Sequence, residues 1–184
     1  MVSEPAVARV VEMRATKDSS RFCELFESYQ SALRRLASAY VERPADREDL
    51  LQDIAVGIWQ SLPRFRGDCS ERTWIYRIAH NIAIRASSRV RTRRAREPII
   101  ENRWDRQSPD SSSEELLLIE EKRKAMMKRI RELSALDRQL VILHLEGLSA
   151  IEIEEVTGVS QGAIATRLTR VRQRLASRLK MEGY

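Results

Sequence analysis

The chain has 184 residues, which is enough for one large domain or two small ones. Lys and Arg (33) exceed Asp and Glu (27) by six, and 42% hydrophobic residues suffice for a core. No apolar run reaches about 18 residues, which excludes a membrane-spanning helix, and the first residues lack a signal-peptide pattern. We therefore expect a cytoplasmic protein without direct membrane insertion.

Two helices are predicted at the start of the chain. Apolar residues at steps of three and four indicate a helix over residues 20–40. Pro44 interrupts the pattern, and a second stripe of the same period runs from about 46 to 62. Pro63 and Gly67 then predict a short loop over 63–67.

A third helix is predicted after this loop. Asp68 followed by Glu71 fits a capping box, with Asp68 as the N-cap. The helix ends in a segment with six arginines and no acid, from Arg85 to Arg96. Since the arginine fork suits phosphate, this segment favours a nucleic-acid partner, although a solvated helix face has the same pattern.

Residues 97–113 change in character and are rich in Pro, Asn, Asp and Ser, which predicts a linker. Two further helices are predicted over 114–133 and 137–145. No strand-like alternation is present. The predicted fold class is all-α, with two small helical domains, 1–96 and 114–184, joined by a flexible linker at 97–113.

The end of the chain predicts a helix-turn-helix. Ser149 is placed to cap a two-turn helix, Gly158 to form the turn, and Ser160 to cap the last helix. That helix has an apolar stripe with a basic flank about 90° away, formed by Arg167, Arg170, Arg174 and Arg178. This is the pattern of a DNA-recognition helix, whose arginines grip phosphate. A helical hairpin with a solvated basic side is the alternative.

The first domain adds a second, ordered motif. The runs are DREDLLQD from Asp46, RFRGD from Arg64 and RTWIYRIAHN from Arg72. They resemble region 2 of bacterial sigma factors, and residues 148–172 resemble region 4.2. With no third domain between them, the chain resembles an extracytoplasmic-function (ECF) sigma factor.

The resemblance implies a polymerase-binding surface in region 2. In the family this region docks on the β′ clamp coiled coil of core RNA polymerase, and the β subunit is a further partner. The matching residues are Asp46, Glu48, Asp49, Gln52 and Asp53. Without the family, a generic solvated acidic face would be the favoured interpretation, and the resemblance favours docking instead.

The resemblance also implies two promoter-binding surfaces. The expected −10 residues, which melt DNA and hold a flipped-out base, are Arg64, Phe65, Arg66, Arg72, Tyr76, Arg77, Asn81 and Arg85. We expect Trp74 in the core and leave the role of Tyr76 open. The expected −35 residues are Ser160, Gln161, Ala163, Thr166, Arg167, Arg170 and Arg174. Ala163 stands where threonine or lysine is common, which leaves the −35 contacts less defined.

The predicted function is that of a sigma factor, which directs core RNA polymerase to promoter DNA and has no enzymatic activity itself. It would associate with the nucleoid when active, and an anti-sigma factor is a candidate partner. The alternatives are a helix-turn-helix regulator that binds duplex DNA without polymerase, and a recombinase or nuclease with a DNA-binding tail.

No metal site or cofactor is expected. Cys23 and Cys69 are far apart, no CxxC motif is present, and the two histidines are scattered. Two reduced thiols are the favoured interpretation, with a redox pair as the alternative.

Overall fold

The computed structural model describes the backbone of residues 4–96 and 114–181, and side chains mainly within 18–90 and 121–178. This part of the chain contains seven α-helices and no strand, which confirms the all-α prediction. The helices are α1 (Glu4–Tyr40), α2 (Pro44–Ser61), α3 (Glu71–Arg96), α4 (Glu114–Arg131), α5 (Ala135–Leu145), α6 (Ala150–Thr157) and α7 (Gln161–Met181). The linker predicted for 97–113 lies outside the described residues, so its boundaries stay predictions.

The first domain is a packed group formed by α1, α2 and α3. The stripes read from the sequence are buried here, with Leu33, Leu36 and Ile54 fully inaccessible to solvent. Each such side chain contributes about 1.5–3 kcal/mol through its removal from water. Gly57 lets α2 approach α3, because a Cβ there would collide with the Ile82 side chain.

The start of α3 differs from its prediction. The N-cap is Ser70 and not Asp68. The Ser70 hydroxyl accepts a hydrogen bond from the Thr73 backbone amide at 3.1 Å, and the Ser70 carbonyl accepts the first helical hydrogen bond. The predicted capping box of Asp68 and Glu71 is therefore wrong by two residues. Asp68 belongs instead to the loop after Gly67, whose φ of +82° makes the chain turn sharply.

The second domain contains α4 to α7, and the predicted Ser149 cap and Gly158 turn are confirmed. The Ser149 hydroxyl accepts a hydrogen bond from the Glu152 backbone amide. In return, the Glu152 carboxylate accepts a hydrogen bond from the Ser149 backbone amide at 2.8 Å. Gly158 ends α6 in the left-handed conformation, with φ of +72°. α7 begins at Gln161, directly after the predicted Ser160 cap.

The two domains pack against each other. α4 and α5 contact α1, while α5 and α6 contact α3. The amino-acid pattern predicted separate domains and gave no sign of this interface. No helix within the described ranges is both long and apolar enough to cross a membrane.

Candidate nucleic-acid interface

The acidic face predicted on α2 is partly confirmed as a surface feature. Asp49, Gln52 and Asp53 are exposed side by side on α2. Glu48 is also exposed and accepts a hydrogen bond from Arg34 at 2.9 Å. Asp46 is 8% exposed and so offers little to a partner. The docking roles of all five predicted residues stay predictions.

This face has two features that the sequence analysis missed. Val56, one turn beyond Gln52, is 53% exposed and places an apolar side chain beside the acidic ones. An open groove of about 380 Å³ between α2 and α3 is lined by Asp49, Asp53 and Arg89, among others. An acidic surface with an exposed apolar side chain beside it suits a partner that is basic and partly apolar.

The predicted −10 loop is held in shape by an aromatic pair. The Phe65 ring packs on Trp74 with 4.7 Å between centroids, and Arg21 of α1 lies over Phe65 at 5.7 Å. Arg21 also donates to the Glu71 carboxylate at 2.8 Å. Trp74 was predicted to lie in the core, but it is only partly buried and packs against the edge of the core. Arg21 was missed because it lies 50 residues from Glu71 in the chain.

The other predicted −10 side chains divide into two groups. Arg64 and Arg66 on the loop, and Asn81 and Arg85 on α3, are exposed. The second group is contacted by the second domain and comprises Arg72, Tyr76 and Arg77.

Tyr76 is the clearest departure from the predicted site. The side chain is 2% exposed, and its hydroxyl donates to the Glu146 carboxylate at 3.2 Å. Burial, and secondly the negative charge of Glu146, raise the pKa of Tyr76 above its ordinary value. A base cannot stack on this ring in the arrangement described, because the second domain covers it.

Glu146 is the centre of the contact between the domains. Its side chain is 9% exposed and accepts two hydrogen bonds from Arg35, at 2.8 Å from Nε and 2.6 Å from Nη2. Its backbone carbonyl also accepts from Arg72. Gly147 follows with φ of +77°, which turns the chain from α5 toward α6. Such a bidentate, charge-assisted pair is among the stronger polar contacts in proteins.

A second contact between the domains is built on Tyr40. The Arg138 guanidinium of α5 lies 5.2 Å from the centre of the Tyr40 ring, and the Tyr40 hydroxyl is 2.8 Å from His80 Nδ1. His80 is fully buried, and this desolvation lowers its pKa to about 3. The imidazole is therefore neutral in the folded chain at pH 7.

The apolar stripe of α7 is confirmed, since Ile164, Val171 and Leu175 are buried. The side chain of Leu179 lies outside the described residues. Because one face of α7 is committed to the core, the arginine flank faces solvent. Arg170 and Arg174 are exposed there, and neither forms an ion pair with an acidic side chain in the part of the chain that the structure describes.

Other predicted −35 residues have partners within the domain. Arg167 pairs with Asp137 at 3.0 Å, and the Gln161 amide donates to Glu154 at 2.8 Å. The remaining predicted residues of this surface are all exposed, and they are Ser160, Ala163 and Thr166. Their roles in DNA binding stay predictions.

Comparison with known proteins matches both domains to one family. Residues 25–95 match Sigma-70 region 2, and residues 123–175 match Sigma-70 region 4. The ECF RNA polymerase sigma-E factor of Escherichia coli K12 is 29% identical over 97% of each chain. Its counterpart from Haemophilus influenzae is 27% identical over 93% of this chain and 94% of the relative.

Solved structures agree in fold. CnrH, determined in complex with the cytosolic domain of CnrY, aligns with a TM-score of 0.65 at 23% identity, covering 94% of this chain and 97% of CnrH. RpoE from Bartonella quintana, determined with the anti-sigma factor NepR, aligns with a TM-score of 0.63 at 24% identity. That alignment covers 87% of this chain and 97% of RpoE. The two matched regions, in this order and over nearly the whole length of the relatives, make the chain a member of the ECF group of the sigma-70 family.

Proposed function

We propose that this sigma factor directs core RNA polymerase to promoters by docking through α2, capturing the −10 element with α3 and its loop, and reading the −35 element with α7. The observation that supports the proposal is that one chain exposes an acidic face on α2 and two separate basic surfaces, one on α3 with its loop and one on α7. A regulator that binds DNA alone has no use for the first of these.

Docking rests on the exposed face of Asp49, Gln52 and Asp53. Carboxylates on one helix face attract a basic partner and steer its approach, which fits the β′ coiled coil of the family. The second domain is proposed to contact the β subunit. Leu145 and Ile151, which are 65% and 59% exposed, offer it apolar contacts.

The −10 element is proposed to be held as single-stranded DNA. The loop around Gly67 is rimmed by Arg64 and Arg66, which can hold phosphates on either side of an extruded base. Asn81 offers both a donor and an acceptor to a base edge, and Arg85 follows one turn later on α3.

The −35 element is proposed to be read as duplex DNA by α7 in the major groove. Gln161, Ala163 and Thr166 near the N-terminus of α7 face the bases, while Arg170 and Arg174 bind phosphate. Arg167 can join them only if it leaves Asp137.

No reaction is assigned to the chain itself, since polymerase performs the chemistry. We place the protein in the cytoplasm and at the nucleoid when active. We also propose an anti-sigma factor as a partner, because RpoE from Bartonella quintana was solved in complex with the anti-sigma factor NepR.

Run-off transcription tests this function. Holoenzyme reconstituted with core polymerase would first select promoters from a random DNA library. We expect discrete transcripts from the selected DNA with the chain and none with core polymerase alone. Specific protection of the same DNA by the chain without polymerase, with no transcript, would favour the regulator instead.

A further inference from the structure

Glu154 of α6 contacts a side chain that is proposed to read the −35 element. Its carboxylate accepts a hydrogen bond from the side-chain amide of Gln161, the first residue of α7, with 2.8 Å between Nε2 and Oε2. We propose that Glu154 is a positioning residue that fixes the orientation of this amide, so that Gln161 selects adenine over guanine at one base pair, an inference that rests on the proposed function of α7.

The turn between α6 and α7 holds the two residues close together. Gly158, with φ of +72°, donates its backbone amide to the Glu154 carbonyl at 2.7 Å. The Thr157 hydroxyl accepts a hydrogen bond from the Val159 backbone amide at 3.2 Å. α7 then begins at Gln161. Because hydrogen bonds fix the backbone of the turn, the contact between the two side chains follows from the fold of the helix-turn-helix.

The chemistry of the two side chains determines which end of the amide faces Glu154. A carboxylate only accepts hydrogen bonds, whereas an amide has a nitrogen that donates and an oxygen that accepts. The amide nitrogen of Gln161 must therefore face Glu154, and one of its two N–H bonds is used there. Oε1 and the second N–H remain for a base. Without Glu154 both orientations would be populated, because the last torsion angle of a glutamine side chain is broad and roughly two-fold.

The remaining donor and acceptor of Gln161 match the major-groove edge of adenine. Adenine presents an amino group at N6 and an acceptor at N7, and an amide binds both at once through its oxygen and one N–H. Guanine presents two acceptors, O6 and N7. In the orientation that Glu154 imposes, Gln161 has only one donor for guanine, and Oε1 meets a second acceptor. This orientation therefore favours adenine.

The negative charge of Glu154 acts in the same direction. The side chain is partly buried, and it forms no ion pair with a basic side chain within the ranges that the structure describes. A carboxylate beside the major groove attracts the amino group of adenine and repels O6 and N7 of guanine. Orientation and charge both disfavour guanine at the base pair that Gln161 contacts.

The next residue of α6 provides a matched control. Glu155 is exposed, and its carboxylate makes no hydrogen bond to another described residue. Glu155→Ala and Glu154→Ala therefore remove the same charge from the same helical turn, but only Glu154→Ala releases the Gln161 amide.

The experiment measures base preference with reconstituted holoenzyme. A promoter from the selection described above is changed to every other base pair at each position of its −35 element, and holoenzyme binding to each fluorescein-labelled duplex is measured. We expect wild type to prefer adenine to guanine about tenfold at one position, where Gln161→Ala loses this preference. Glu154→Ala should lower the ratio to about twofold at that position alone. Glu155→Ala should keep the ratio of wild type.

Reversing the charge gives a sharper test. A lysine side chain only donates, so in Glu154→Lys the ammonium group contacts Oε1 of Gln161 and turns both amide N–H bonds toward the groove. Two donors fit O6 and N7 of guanine, so the preference should reverse and favour guanine by about threefold. In the Gln161→Ala background, Glu154→Ala should change no base preference, because the two residues act as a unit.

Several results would overturn the inference. They are a wild-type adenine preference in Glu154→Ala or Glu154→Lys, and a Gln161→Ala variant with unchanged preferences at every position. An equal loss of affinity for all base pairs in Glu154→Ala would also overturn it, since Glu154 would then only brace the turn. If circular dichroism shows that Glu154→Ala does not fold, Glu154→Gln replaces it, because its amide both donates and accepts and imposes no single orientation. Failure of the proposed function would appear earlier, as an absence of promoter-specific transcripts with the wild-type chain.

Discussion

The helix assigned to the −10 element and the helix assigned to the −35 element differ in what surrounds them. α3 lies between α2 on one side and α5 and α6 on the other, so Arg72, Tyr76 and Arg77 contact the second domain. α7 packs only within its own domain, and Arg170 and Arg174 face solvent. One proposed DNA-binding surface is therefore largely exposed in the free chain, while the other is partly covered.

This difference shows how far the helix pattern alone determines a binding surface. In α7 a single apolar stripe marks the buried face, and what lies beside it is exposed. In α3 the stripe marks contact with α2, but a second, polar face is also covered. Exposure there is decided by residues about 70 positions away, such as Glu146, which bonds to Tyr76.

The largest effect of a substitution is expected on the exposed acidic face of α2, which we propose binds core polymerase. Asp49→Lys with Asp53→Lys should weaken binding of core polymerase by at least roughly a hundredfold, since like charges then face the basic partner. Pull-down or biolayer interferometry with core polymerase measures this. Asp68→Lys, on the exposed loop, is the charge control and should bind nearly as wild type. Unchanged binding of the double variant would remove α2 from the docking surface.

A second test separates strand melting from simple binding on α3. Asn81 is exposed beside the covered group, so its truncation leaves the domain contact intact. Asn81→Ala should reduce open-complex formation about tenfold on a duplex promoter, and less on a promoter with a pre-melted −10 bubble. Permanganate footprinting on the two templates provides the comparison. Equal losses on both would mean that Asn81 supports overall binding and not melting.

Acid should affect the two domains unequally. The pKa of His80 is lowered to about 3 by burial, whereas unfolded histidine titrates near 6.5. The unfolded chain therefore takes up this proton first as pH falls. The contribution of His80 to the free energy of unfolding is therefore fully present above about pH 6.5 and is lost toward pH 3, by about 1.4 kcal/mol per pH unit.

Urea unfolding between pH 7 and 5 checks the effect of His80. His80→Gln should show a shallower dependence on pH than wild type, whatever its absolute stability. His144→Gln is the control, because that histidine is exposed in the second domain. Identical slopes for wild type and His80→Gln would contradict a neutral, buried imidazole.

The smallest effect is expected on α7. Arg170→Ala should weaken holoenzyme binding about threefold, and the slope of log K against log salt should fall by about one. Arg167→Ala is the informative comparison, because Arg167 pairs with Asp137 and its loss should also lower stability. Titrations of duplex promoter DNA at several salt concentrations measure both. An unchanged slope for Arg170→Ala would mean that this arginine makes no phosphate contact.

Much of the fold was predictable because its signals are local. The stripes of α1, α2 and α7, the Ser149 cap and the Gly158 turn each depend on residues within a few positions of one another. The start of α3 was predicted incorrectly because several cap formers stand close together, and the structure uses Ser70. α1 begins earlier than expected, at Glu4.

The candidate site was less predictable because its state depends on long-range contacts. The family resemblance supplied a predicted −10 set. The resemblance did not predict that Glu146 and Glu155 of the second domain contact members of this set. Arg35 and Glu146 are separated by 111 positions, and neither stands in a motif. A charge pair of this kind becomes visible only when the two domains are seen together.

The most direct test is a distance measurement between the two domains in three states. Spin labels at Ser28→Cys on α1 and Ser177→Cys on α7, with Cys23→Ser and Cys69→Ser, allow double electron–electron resonance on the full chain. We predict one narrow, short distance in the free chain and a clearly longer one when core polymerase and promoter DNA are bound. The same distance in the free and promoter-bound states would contradict the proposed use of Arg72 and Arg77 in −10 binding, because the second domain contacts both side chains in the free chain.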